Sequence, residues 1–284
     1  MKLGLALSGG GIRGIAHAGA LKALEDNHIK IDVIGGTSSG ALIASLYALG
    51  YSPYYIYILF KRYSKDIVGI HSAPIIYGIG NFVKNKKVAI TGLKTGNSIE
   101  EAYNDLALRK GVKSIQDIKN MPLIIPAVDV GEAKEYIFTN RIPENSQDKS
   151  QYITDISIGK AVRASSSFPA VFCPCEYHKH KFFDGGVLDN IPVSEVKKQG
   201  ADKVIAVNFK ADDIDTNSNM MDLAMRTIDI MGNKISEENL EKSDFILTVK
   251  TDKTGLLDIE KLDSCYQYGY EAVTQNLDKI RAIL

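Results

Sequence analysis

Two short apolar runs, KLGLALS at residues 2–8 and IDVIGG at 31–36, end in or run into glycine, and each gives way to a helical pattern. After the first, Ile15, Ala18, Leu21 and Leu24 recur at three- and four-residue steps. After the second, SGALIASLYALG (39–50) reads as an apolar helix closed by Gly50. Strand, helix and strand in so few residues imply a right-handed crossover, with both strands parallel in one sheet. Their C-terminal ends then share one edge, the place where α/β folds bind ligands.

The rest of the chain extends this reading. Further strands are expected at 123–130, 135–140, 181–186, 203–209 and 245–250, and helices at 157–165, 192–199, 219–240 and 259–282. Pro192 suits a first helical turn and Gly200 a C-terminal cap. Several strands are apolar on both faces, as a sheet covered by helices requires. The expected fold is a three-layer α/β/α sandwich around a mostly parallel sheet, with the 135–140 strand pairing antiparallel. Residues 1–284 read as a single domain, with 211–284 completing it. The tyrosine-rich 52–68 stretch and the polar-faced helix in 92–110 break the rhythm, so 51–100 is read as an insertion or cap. Residues 141–151 read as an exposed loop.

Composition narrows the function classes. The 284 residues carry no formal net charge, which argues against a nucleic-acid partner, because phosphate contacts leave a basic footprint. Three cysteines, two of them in Cys173-Pro174-Cys175, make no disulfide framework, and reduced thiols fit the cytoplasm. The apolar stretch after Lys2 is broken too early for a signal peptide, and no run approaches the roughly 18 apolar residues of a membrane span. Any contact with lipid is therefore expected to be peripheral. The sequence is silent on oligomeric state.

The first glycine turn, SGGGIRG (8–14), exposes backbone N–H groups at the positive end of a helix, a natural anion site. Its Gly9-x-Gly11-x-x-Gly14 spacing also matches a dinucleotide fingerprint. That reading wants an acidic residue ending the second strand, where Thr37-Ser38 stands instead. No Gly-Lys-Ser/Thr follows, so a phosphate loop fails too. The second turn, Gly36-Thr37-Ser38-Ser39-Gly40, has the form of a nucleophile elbow, where flanking glycines relieve a sharp strand-to-helix turn. Parallel neighbours would set the Ser38 hydroxyl beside the amides of Gly9, Gly10 and Gly11, a geometry for attack on a carbonyl and stabilisation of its oxyanion. An ordinary turn is the plainer alternative.

A serine nucleophile needs a base, and none of His17, His28, His71, His178 and His180 sits in a setting that announces a triad. His17 falls on the inner face of the first helix and reads as packed. Asp184, ending the 181–184 run before Gly185-Gly186, is the better candidate, although Asp-Gly-Gly alone also reads as a turn.

SGGGIRG, GTSSG and DGG, in that order, resemble the patatin-like phospholipase family, as does ASSSFP at 164–169. The likeness covers most of residues 2–210. It implies a Ser–Asp dyad without histidine, with Ser38 as nucleophile and Asp184 as base, and an oxyanion hole from Gly9, Gly10 and Gly11. Arg13 falls at the family's basic loop position, beside Gly14, where it either steadies the loop or faces a lipid phosphate. Gly186 stands where some members carry alanine. The activity implied is hydrolysis of fatty-acyl esters of phospholipids, lysophospholipids or acylglycerols through an acyl-enzyme, without a cofactor. Transfer of the same acyl group to an alcohol stays open, as does a nucleotide- or acyl-binding role without turnover.

CPCEYHKH (173–180) gathers two thiols and two imidazoles, but one intervening proline is a poor bite for zinc, and no metal is expected. No acidic loop has calcium-ligand spacing. Tyr54, Tyr55 and Phe60 would face lipid if 52–63 is a lid, and would pack on the sheet otherwise.

Overall fold

The computed structural model describes residues 1–68, 92, 94–146, 148–169, 171–209, 220–252, 254–255 and 258–284. Among these, nine strands form one sheet: β1 (Leu3–Leu7), β2 (Val33–Gly36), β3 (Leu123–Asp129), β4 (Lys134–Thr139), β5 (Tyr152–Ile153), β6 (Cys175–Tyr177), β7 (His180–Asp184), β8 (Lys203–Phe209) and β9 (Phe245–Val249). The order is β5-β4-β3-β2-β1-β8-β9, and β7 joins β3 with β6 beside it. The β1–β2 pair is parallel as expected, in register from Gly4 opposite Val33 to Leu7 opposite Gly36. β3, β8 and β9 add further parallel pairs, and β4 runs antiparallel to β3.

Helices cover both faces. Leu5 and Leu7 of β1 point into one core with α1 (Ile15–Asp26), α2 (Ser39–Ala48), α3 (Pro53–Val68), α4 (Asn97–Leu108), α5 (Ile158–Ser165) and α9 (Leu262–Gln275). Ala6, one residue out of phase, points to a second core with Val193 and Val196 of α6 (Val193–Lys198). α7 (Met220–Ile235), α8 (Glu237–Glu241) and α10 (Leu277–Ala282) complete the described helices. The architecture is the expected α/β/α sandwich.

Several boundaries differ from the sequence reading. The 181–186 strand stops at Asp184, and Gly185–Val187 forms a single 3₁₀ turn. The 219–240 stretch divides at Ser236, and 259–282 is a 3₁₀ turn followed by α9 and α10. β5 and β6, of two and three residues, are too short to leave an alternating pattern. α3 packs against α1 and α2, and Phe60 is buried in the main core, whereas Tyr54 and Tyr55 are exposed. Phe60 therefore cannot face lipid beside the two tyrosines. The remainder of the expected cap, 69–91 with His71, lies outside the described residues.

One contact sets the position of α1. A Cβ on Gly19 would lie 1.9 Å from the Tyr266 carbonyl oxygen, and one on Gly269 1.8 Å from that of Ala16. Only glycine on both helices lets α1 and α9 approach so closely, and α1 carries the glycine loop on its N-terminus.

Candidate active site

Two backbone arrangements bring the site together. The first is the parallel β1–β2 pair, whose ends place the glycine loop beside the elbow; the Thr37 N–H donates to the Leu7 carbonyl at 3.1 Å. The second was not legible beforehand. β2 occupies only the first part of the β3 edge, pairing Ile34 with Leu123 and Gly35 with Ile124. β7 takes the same edge further along, antiparallel, with Asp184 opposite Ala127. β7 thus runs head-on towards the end of β2, and Asp184 ends up facing the residues that follow Gly36.

Ser38 sits at φ 54° and ψ −119°, a conformation that side-chain-bearing residues rarely adopt, and α2 begins at Ser39. Such strain persists only where the surroundings hold it. Here Gly36 and Gly40 supply the close packing. A Cβ on Gly36 would meet the Gly40 carbonyl at 2.3 Å, and one on Gly40 would meet the Leu7 carbonyl at 2.4 Å. The elbow is thereby pressed onto the end of β1.

Asp184 is 2% exposed. One oxygen, Oδ1, accepts the Gly186 N–H at 2.9 Å, while Oδ2 is buried with no hydrogen-bond partner. Burial pushes the carboxyl up to about 7, against smaller opposing effects from the Ser38 hydroxyl and the Gly186 amide. No hydrogen bond of normal length and angle joins the Ser38 and Asp184 side chains.

The oxyanion loop departs from expectation at one residue. The Gly9 N–H is turned inward and shared between the carbonyl oxygen and Oδ1 of Asn190, at 3.1 Å each. A donor so engaged is not free to hold an oxyanion. The amides of Gly10 and Gly11 donate to no acceptor among the described residues. Arg13 is buried beneath this loop, its Nε–H donating to the Gly10 carbonyl at 3.2 Å and its guanidinium over the Phe209 ring. That bond ties the side chain to the loop backbone. Gly14 follows at the mouth of α1, packed against the Ser39 side chain.

The histidines stand apart. His17 is fully buried, and desolvation lowers its imidazole to about 4. It is therefore neutral, and Nε2 must carry the proton, because its partner at 2.8 Å is the Ser8 carbonyl. His180 pairs through Nδ1 with Asp129 at 2.9 Å, at the far end of β7 from Asp184. His28 and His178 occupy positive-φ turns. The hydrogen bonds of the His17 and His180 rings go to the Ser8 carbonyl and Asp129, and not to Ser38 or Asp184. Among the described residues, no cluster of His, Cys, Asp or Glu could hold a metal ion, and Cys173, Cys175 and Cys265 are free thiols.

Four further residues support the site through bonds that the sequence does not show. Ser165 Oγ accepts the Ser38 N–H at 3.1 Å, and the Ser167 carbonyl accepts the Asp184 N–H at 3.1 Å. The ASSSFP segment is thus a bracket between the two candidate catalytic residues. Arg163 locks it, donating to Ser167 Oγ at 2.6 Å and to the Cys173 carbonyl at 2.9 Å. The Asp189 carbonyl, in turn, accepts the Thr37 hydroxyl at 2.9 Å. ASSSFP stood out in the sequence through its resemblance to the family, but nothing in the run tells which bonds its serines make.

Comparison with known proteins places this geometry. The patatin-like phospholipase family profile matches residues 5–197, which include both candidate catalytic residues and the glycine loop. Relatives include a protein named Lysophospholipase NTE1 from Scheffersomyces stipitis, 30% identical across 94% of this chain. Another of the same name, from Candida albicans, is 27% identical across 94%. The chain spans only 17% and 19% of these two relatives. Among solved structures, VipD from Legionella pneumophila shares the fold, with a TM-score of 0.53 and 15% identity, over 98% of this chain and 67% of its own. ExoU in its complex with SpcU from Pseudomonas aeruginosa does so with a TM-score of 0.51 and 18% identity, over 98% and 51%. With more than half of its length matched and the fold shared, this chain belongs to the patatin-like phospholipase family.

Proposed function

We propose that the chain is a serine acyl hydrolase that cleaves fatty-acyl esters of phospholipids, lysophospholipids or acylglycerols, with Ser38 as nucleophile and Asp184 as its base. The observation that carries this reading is the strained Ser38 elbow, set beside a buried carboxyl and two unpartnered amides. An ordinary carboxylate is a poor base for an alcohol. Asp184, lifted to about 7 by burial, is better matched to the task near neutral pH.

In the first half-reaction, Asp184 takes the Ser38 proton as Oγ attacks the ester carbonyl. Charge that develops on the carbonyl oxygen meets the N–H groups of Gly10 and Gly11. As the tetrahedral intermediate collapses, the alcohol leaves with the proton held on Asp184, and the acyl group stays on Ser38. Water then attacks, Asp184 takes its proton, and Ser38 Oγ recovers it as the fatty acid departs. Both halves use one carboxyl, so no histidine is required.

The relatives named lysophospholipases favour a lysophospholipid as substrate. No helix among the described residues is long and apolar enough to cross a membrane, which agrees with peripheral contact with a lipid surface. We further read the chain as one domain, because β9 extends the sheet beside β8 and α9 grips α1.

Fluorophosphonate labelling of Ser38, with ester turnover in the wild type and in Ser38→Ala and Asp184→Asn, tests the reading. Labelling lost in Ser38→Ala and turnover reduced at least 10³-fold in both variants, the scale of losing one member of a catalytic set, support it. Asp184→Asn with wild-type turnover refutes the dyad, and an unlabelled wild type refutes the enzyme. Product analysis with and without an alcohol acceptor separates hydrolysis from acyl transfer.

A further inference from the structure

Asn190, which the sequence reading does not single out, contacts both the glycine loop and the turn after Asp184, yet it reaches neither Ser38 nor Asp184 by a hydrogen bond. Its carbonyl oxygen and Oδ1 both accept the Gly9 N–H. An N–H only donates, so the side-chain atom facing Gly9 must be oxygen, which turns Nδ2 the other way. There Nδ2 donates to Asn233 Oδ1 at 2.7 Å, on α7. The Asn190 N–H donates to Ser236 Oγ at 2.8 Å, just past the same helix. The adjoining turn is held as well. A Cβ on Gly186 would lie 3.0 Å from Asn190 Oδ1, and the Gly186 carbonyl packs against Gly232 of α7. One buried side chain thus links the glycine loop, the turn after Asp184 and a helix more than forty residues downstream.

This linkage bears on catalysis through Gly9. Tethering the Gly9 amide inward fixes the peptide plane from which the chain turns to Gly10 and Gly11. Their N–H groups, which donate to no acceptor among the described residues, are the donors left for an oxyanion. Resting on the hydrolase reading above, we propose that Asn190 is a positioning residue of the oxyanion loop, oriented by Asn233 of α7. Its side chain makes no contact with substrate. Its work is to keep two donors aimed before the charge arrives, because hydrogen-bond stabilisation of a transition state depends on donors already in place.

The test uses the full chain with Asn190→Ala and Asn233→Ala. Each is measured by kcat and KM on a soluble chromogenic ester, by affinity for an alkyl boronic acid, and by amide hydrogen exchange across residues 8–14. A boronic acid forms a tetrahedral anion on the serine and so reports on the oxyanion hole. Removing one oxyanion donor outright costs about 10²–10³ in kcat. Disordering two donors while the Asn190 backbone bond to Gly9 survives should cost less, about tenfold in kcat for Asn190→Ala. KM should hold within twofold, boronate affinity should fall in parallel, and exchange at Gly9–Gly11 should accelerate. Asn233→Ala, an exposed change that leaves Asn190 in place, should lower kcat about threefold in the same pattern, about the effect of one neutral hydrogen bond. It decides the matter if Asn190→Ala fails to fold.

Unchanged kcat per folded molecule with unchanged exchange overturns the proposal. So does a raised KM with kcat intact, or a lowered melting temperature alone. A wild type that neither hydrolyses ester nor takes fluorophosphonate refutes the hydrolase reading instead, and the exchange data then still decide whether Asn190 holds the loop.

Discussion

Burying Asp184 carries a stability cost that substitution should return. In the unfolded chain its carboxyl titrates near 3.8, and in the folded protein at about 7. Below 3.8 it is protonated in both states and costs nothing. Between 3.8 and 7 the unfolded chain releases the proton while the folded protein keeps it, so the unfolded state binds fewer protons and stability falls as pH rises. Above 7 both forms are charged and the difference is constant. Three units at 1.36 kcal/mol each make that difference about 4 kcal/mol at pH 8, against less than about 2 kcal/mol at pH 5. Asp184→Asn removes the charge but keeps an oxygen for the Gly186 N–H, and sets an NH₂ where Oδ2 has no partner. The variant should therefore be more stable than the wild type by about those amounts. With an unfolding entropy of about 2.1 cal/mol/K per residue, 284 residues turn 4 kcal/mol into roughly 7 °C in Tm at pH 8. Urea denaturation of both proteins from pH 4 to 8.5, analysed as a difference curve, is the assay. Asp189, which burial lifts to about 6, titrates in both proteins and cancels. A difference that stays flat across pH, or that favours the wild type at pH 8, would refute burial as the origin of the shift.

The same carboxyl should set the pH dependence of turnover. Since Asp184 acts as a base only when charged, kcat/KM on a soluble ester should rise through an acid limb centred at about 7; a limb near 4 would contradict this. Gly40→Ala would force a methyl to within 2.4 Å of the Leu7 carbonyl, and should destabilise by about 1–3 kcal/mol as well as lower kcat; thermal unfolding and turnover check both. Tyr54→Ser with Tyr55→Ser, both exposed, should leave stability nearly unchanged and lower activity on lysophospholipid carried in phospholipid vesicles more than on soluble ester if that helix meets lipid. Equal losses on both substrates would argue against contact. Phe60→Ser, by contrast, empties a core position and should cost about 3–5 kcal/mol on any assay of stability.

Local rules account for what was legible in the chain. The glycines after β1 and around Ser38 announce turns, and strand–helix–strand spacing forces β1 and β2 to be parallel neighbours, so the loop and the elbow had to share an edge. Asp184 was legible as the end of a strand before two glycines. Its meeting with Ser38 was not, because that depends on β7 sharing the edge of β3 with β2, two pairings between segments far apart in the chain for which a single sequence holds no pattern. The inward turn of the Gly9 N–H has the same origin. Three consecutive glycines offer equivalent amides, and only the approach of Asn190 decides that the first turns inward.

Burial, too, belongs to the tertiary structure. Nothing within KFFDGG says that its aspartate is shielded from water, yet that shielding separates an ordinary carboxylate from one lifted to about 7. Which residue types stand at the ends of which strands follows from the chain alone, because backbone turns and period are local properties. The assembled fold alone decided which of them face one another, how dry that meeting point is and which amides remain to be used, because contact, solvation and hydrogen-bond partnership are settled between segments distant in the chain.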